Sequence, residues 1–181
     1  MQPTNQSYWD QFDSQTPIQA TLRDNFLKSA PNVNVFGTLT FNSEHGVSYW
    51  EAKKIFGKFI RLLNAYLYGI KSKKRILILP VVEKSGVEHG GGPYVKYDGT
   101  HIHFVADIPG GATATQETVR KLWIASSKIA GDPNIYCPNS DDWYQTIWNY
   151  ESKNSLIQYT IKTCRINTNT VLWDFVQPFS T

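Results

Sequence analysis

Between residues 33 and 83 the hydrophobic period changes twice. VNVFGTLTF (33–41) alternates and is β-branched or aromatic at most positions, which predicts a strand. Beyond the turn residues Asn42–Gly46, Trp50, Ile55, Phe56, Phe59, Leu62, Leu63 and Tyr66 recur at spacings of three and four. Lys53, Lys54, Lys58 and Arg61 stand between them, so a long amphipathic helix is predicted, ending at Gly69. RILILPVVE (75–83) returns to a strand pattern, with Pro80 marking a bulge or an edge position. A strand, an amphipathic helix and a second strand can bury their apolar faces together only if the helix lies across a sheet.

The second half repeats the theme. A Gly-rich stretch (86–99) leads to a third strand, THIHFVADI (100–108), which Pro109-Gly110-Gly111 breaks. A second amphipathic helix opens at Thr115 and Glu117, carries Val119, Leu122, Trp123 and Ile129, and stops at Gly131. A short strand is expected at 134–137, a third helix at 153–164, and a last strand at VLWDFV (171–176). The order β-α-β-β-α-β predicts an α+β fold of the ferredoxin-like, split β-α-β type. Its antiparallel sheet carries two helices on one face and leaves the other for a site. Unrelated activities share this fold, so function has to come from the site.

Upstream, residues 1–15 are polar with scattered aromatics. Thr16-Pro17 then reads as an N-cap and first helical position, followed by Ile18, Leu22 and Phe26 at spacing four and ended by Pro31. The expected organisation is an N-terminal arm with a short helix (1–30) and one domain (31–181). Composition supports a packed chain: 41% of residues are hydrophobic and only 18% charged. The apolar runs are too short for a membrane span, and the first eleven residues have neither a basic nor an apolar signal region. Cys137 and Cys164 are too few for a disulfide framework. A cytoplasmic protein is expected, or a nuclear one if its source is a eukaryotic virus. A net charge of +3 is too small for nucleic acid to be held by charge alone.

The most informative tripeptide is His101-Ile102-His103. On a strand, positions i and i+2 share a face, so two imidazoles stand side by side while Ile102 points to the opposite face. If the Gly-rich segment folds as a hairpin about Gly91-Gly92, position 83 lies opposite position 101. Cross-strand neighbours have Cβ atoms about 5 Å apart, which brings Glu83 to the histidines. Two imidazoles and a carboxylate suit Mn2+ or Mg2+ with coordination positions left for phosphate oxygens. His89, Glu88 and Asp107 are rival third ligands: His89 lies near the hairpin tip, and Asp107 shares the histidines' strand parity.

A second constellation is Tyr159-Thr160-Ile161-Lys162. On a helix Ile157, Ile161 and Cys164 form the apolar stripe, and Tyr159 and Lys162 lie together opposite it as an i, i+3 pair. Chemically, tyrosine is a nucleophile and lysine steadies phosphate charge. The basic run at Lys73, Lys74 and Arg75 offers backbone contacts to nucleic acid, and the abundant Trp and Tyr offer stacking.

VFGTLTF (35–41), the Glu83…His101-Ile102-His103 set and YTIK (159–162) occur in the order of the three motifs of HUH endonucleases. These are the rolling-circle replication initiators and their relaxase and transposase relatives, and the resemblance spans roughly residues 33–175. It implies metal-assisted nicking and joining of single-stranded DNA or a hairpin origin, through a 5′-phosphotyrosine intermediate. It also implies His101, His103 and Glu83 as ligands of Mn2+ or Mg2+, Tyr159 as nucleophile and Lys162 as its helper. Tyr150 is a second tyrosine to consider, but no lysine follows it at three residues. The chain has no Walker A pattern, so an assisting helicase would be a separate partner. Two other readings use the same residues: a non-catalytic single-strand-binding module resembling RNA-recognition domains, and a metal hydrolase that cuts with activated water.

Overall fold

A computed structural model describes residues 15–42, 47–84, 99–133, 143–166 and 168–176. Helix α1 spans Pro17–Ser29, strand β1 Val35–Thr40, α2 Tyr49–Tyr68, β2 Leu77–Lys84, β3 Thr100–Asp107, α3 Gly111–Ser126, β4 Tyr144–Thr146 and α4 Tyr150–Thr160. The strands form one sheet in the order β2-β3-β1-β4, with every neighbouring pair antiparallel. This is the ferredoxin-like arrangement expected of the chain.

The two long helices pack on one face of the sheet. Helix α2 begins where Ser48 and Glu51 cap each other reciprocally, and it ends at Gly69, whose φ of +86° is a conformation glycine tolerates. Its buried stripe, including Ile55, Phe56, Phe59 and Leu63, meets Leu39, Ile78, Ile102 and Phe104 from the sheet and Val119 and Trp123 from α3. Each such large apolar side chain contributes roughly 1.5–3 kcal/mol when taken out of water. Buried Asn64 joins helix to strand: its carbonyl accepts from the Ile76 N–H at 2.8 Å, and its amide donates to Ile60 O.

Two further helices, α1 and α4, build a second core on the other sheet face. Leu22 and Phe26 of α1 and Ile157 of α4 pack there with Phe36, Leu79, Val81 and Val105. The helix placed in an N-terminal arm thus shares its core with the sheet. Thr16 caps it, as the Thr-Pro pair predicted.

Of the expected elements one lies outside the described residues, and α3 (Gly111–Ser126, expected from Thr115 to Gly131), α4 and the last strand come out differently. The strand foreseen at 134–137 lies outside the described residues, and the fourth strand is Tyr144–Thr146, paired with Val35–Gly37. VLWDFV is not a strand: Val171 makes a single bridge to Val81, and a 3-10 turn then runs over Trp173–Phe175. That turn brings Phe175 back against Phe56 of the first core, with ring centroids 5.3 Å apart, which an extended chain would not do. Helix α4 starts three residues early because Asn149 and Ser152 cap each other, and it stops at Thr160, so Lys162 lies in the following turn. Pro80 sits on β2, an edge strand of the sheet, where its missing N–H is tolerated.

Candidate metal centre

The β2–β3 register sets Glu83 directly opposite His101, as expected; the Gly91-Gly92 turn itself lies outside the described residues. His101 and His103 share the sheet face that carries Val105, while Ile102 is fully buried in the opposite core. Ligand atoms of Glu83, His101 and His103 all lie within 4.8 Å of one another. Glu83 Oε2 is 3.3 Å from His103 Nε2 and 3.6 Å from His101 Nε2, and the two Nε2 atoms are 3.0 Å apart.

Each imidazole is aimed from behind. His101 Nδ1 is 2.6 Å from Gly99 O. A carbonyl only accepts, so the proton is on Nδ1, and in the neutral ring Nε2 keeps its lone pair for a cation. His103 Nδ1 is 2.9 Å from Thr38 Oγ1, on the residue of β1 directly opposite it in register. Outer hydrogen bonds of this kind hold a ligand's tautomer and ring orientation. The Phe36 ring stacks on His103 with centroids 5.8 Å apart.

Burial moves these groups in different directions. It pushes the His103 imidazole down to about 4, with the positive charges of His101 and Lys162 adding to it and Glu83 opposing. His103 is therefore neutral at physiological pH. Burial raises the Glu83 carboxyl, but hydrogen bonds from both histidines and the Lys162 charge outweigh that, and it ends well below the ordinary carboxylate range. Two imidazoles beside an ionised carboxylate are a donor set that a divalent cation takes, and the residues present fit one.

Lys162 and Tyr159 complete the cluster. Lys162 Nζ is 2.8 Å from Glu83 Oε2 and 3.5 Å from His103 Nε2. It also lies over the Tyr159 ring, 3.7 Å from its centroid. Tyr159 meets His103 edge-on at 4.8 Å and Phe36 at 5.9 Å. The tyrosine was expected to point away from its helix's core contacts; it is instead half-buried and packed against the second core. The stripe of Ile157, Ile161 and Cys164 is fully buried as expected, although only Ile157 is within the helix.

The rivals separate on distance. Asp107 pairs with Leu77, six residues along β3 from His101 or roughly 20 Å. Tyr150 is exposed at the start of α4, nine residues or about 13 Å along the axis from Tyr159. Glu88 and His89 lie outside the described residues. Lys73, Lys74 and Arg75 are exposed before β2, beyond the strand end that lies roughly 20 Å from Glu83. They are not brought into the cluster.

Thr38, Phe36 and Gly99 were not singled out from the sequence. Thr38 and Phe36 sit within an ordinary alternating strand, and only register reveals which residue each one meets. Among the described residues no helix is long and apolar enough to cross a membrane, and Cys164 is a free, buried thiol. Compared with family models, curated proteins and solved structures, the chain has no match.

Proposed function

We propose that the protein is a divalent-metal-dependent endonuclease that nicks and rejoins single-stranded DNA through Tyr159, as an initiator of rolling-circle replication does. One observation carries this reading. The Glu83, His101 and His103 ligand atoms meet within 4.8 Å, beside a tyrosine ring and a lysine ammonium contributed by the turn at the end of α4. The order of these residues along the chain resembles that of HUH endonucleases, and the ferredoxin-like sheet is compatible with it.

A divalent cation, Mn2+ or Mg2+, would be held by Glu83, His101 and His103 and would polarise the phosphate it contacts. The chain's own residues supply the rest. Tyr159 Oη attacks the phosphorus, the phenolic proton passes to solvent, and the new oxygen–phosphorus bond replaces the bond to the 3′-oxygen. That oxygen takes up a proton and leaves as a free 3′-OH, while the 5′-phosphate stays on Tyr159. Because the phosphotyrosine preserves the diester's bond type, the same site joins the ends in reverse. Lys162 offsets the charge gathering on the phosphoryl oxygens. Phe36 holds the His103 and Tyr159 rings in place. The target must be unpaired or extruded, since duplex stacking hides the strand.

The test is covalent trapping. Wild-type protein incubated with a pool of labelled single strands and Mn2+ should yield an adduct that survives denaturing electrophoresis, and Tyr159→Phe should yield none while still binding strands. Cutting without an adduct in either protein would point to activated water. Binding with neither cutting nor an adduct would point to a non-catalytic module.

A further inference from the structure

Lys162 stands beyond the end of α4, where the chain is still tied back to the helix by Ile161 N–H to Ile157 O at 3.0 Å and Lys162 N–H to Tyr159 O at 3.3 Å. The last turn of a helix leaves carbonyl groups without intrahelical partners, and a buried carbonyl needs a donor. Ile161 O accepts from the Cys164 N–H at 2.8 Å, and a further donor to this turn comes from the other end of the chain. Gln19 of α1 is 6% exposed, and its Nε2 donates to Ile161 O at 3.0 Å and to Lys162 O at 3.2 Å. The assignment of its amide is forced. The other end, Oε1, accepts from the Thr16 N–H at 3.0 Å and faces the Thr16 hydroxyl at 3.3 Å. Turning the amide over would set oxygen against two carbonyls and nitrogen against an N–H. A single side chain thus closes the α1 cap with its oxygen and spans two consecutive carbonyls with its nitrogen.

We propose that Gln19 is a positioning residue for the metal centre. By clamping the 161–162 turn it aims the Lys162 ammonium at Glu83 and the Tyr159 ring. Thr16 and Gln19 form an ordinary capping box by sequence, but a cap needs only the amide oxygen. The buried nitrogen, with both protons directed at the turn, is what the cap leaves unexplained. The N-terminal helix is on this account part of the reactive site rather than an appendage. The catalytic consequence rests on the strand-transfer reading above, while the clamp itself does not.

Gln19→Glu tests it, because the carboxylate keeps an acceptor for Thr16 and sets oxygen against the two carbonyls. At saturating strand and Mn2+, adduct formation should slow about tenfold or more, as small misplacements of reacting groups do. The apparent affinity for strand should stay within about twofold and that for Mn2+ should not fall, since the ligands stand on β2 and β3. In a Lys162→Met background Gln19→Glu should slow the reaction no further; an equal further loss would show that Gln19 does not act through Lys162. Gln19→Met, apolar and of similar size, repeats the measurement if Gln19→Glu fails to fold.

Two readouts need no activity. In wild-type protein the Gln19 side-chain NH2 should exchange with solvent at least about tenfold more slowly than an exposed glutamine, since both protons are bonded in a buried site. In the Gln19 variants the Lys162 15Nζ resonance should lose the signature of its ion pair with Glu83. Solvent-rate exchange in the wild type, or an unmoved Lys162 signal in the variants, would overturn the clamp. If wild-type protein forms no adduct, the strand-transfer reading fails and these two signals alone decide on Gln19.

Discussion

Lys162 Nζ and Glu83 Oε2 are 2.8 Å apart, and the same carboxylate oxygen faces both histidine Nε2 atoms. An ammonium and a divalent ion cannot both take that oxygen at full strength. On the proposed reading a bound cation would loosen Lys162 from Glu83 and leave its charge for the phosphate. Lys162→Met removes the competitor and should tighten Mn2+ binding about tenfold, or ~1.4 kcal/mol. The same substitution should slow adduct formation. Titration calorimetry of the two proteins checks the first part, and unchanged or weaker Mn2+ binding would count against the competition.

The bond between Thr38 Oγ1 and His103 Nδ1 at 2.9 Å gives a graded test of the ligand set. His103→Ala removes a ligand and should abolish detectable Mn2+ binding at micromolar concentration. Thr38→Val keeps the ligand and removes only its orienting partner, which should cost about ten- to a hundredfold in affinity. Manganese EPR reads both. Equal affinity in all three proteins would place the ion elsewhere.

Acid should weaken the fold through His103. Its folded value of about 4 lies below the ordinary 6.5 of a free imidazole, so between those values the unfolded chain binds the extra proton. Stability in the presence of a chelator should therefore fall as pH drops from about 6.5 towards 4, by at most about 3 kcal/mol. Urea melts across that range measure it, and His103→Gln should flatten the slope. A wild-type slope that is already flat would mean that His103 is charged in the folded protein.

Gly37 is opposite Phe104 in the β1–β3 ladder, and a Cβ there would lie 2.3 Å from Phe104 Cζ. The strand lacks a side chain at this point so that a fully buried ring can lie across it. Gly37→Ala should lower stability by about 1–3 kcal/mol through overpacking. Chemical denaturation checks this, and a combined Gly37→Ala, Phe104→Leu variant should recover part of the loss.

Much of this protein was legible as pattern. The periods of 2 and 3.6 marked β1, α2, β2, β3 and α3 because one buried face per element imposes them, and element order then implied the sheet. The parity of His101 and His103 put both imidazoles on one face, and the expectation that the Gly-rich segment joins two antiparallel strands put Glu83 across from them. Where pattern was short or mixed, tertiary contacts decided. Tyr144–Thr146 is too brief for a period, and Trp173–Phe175 turns because Phe175 packs on Phe56. Lys162 leaves its helix because α4 ends at Thr160, so its place beside Glu83 depends on the turn and not on helical spacing. The roles of Thr38, Phe36 and Gln19 depend on register and on contacts up to 143 residues apart. Local sequence carries the spacing of residues within an element. Which residue of another element each one meets is settled only when the two cores pack on the sheet.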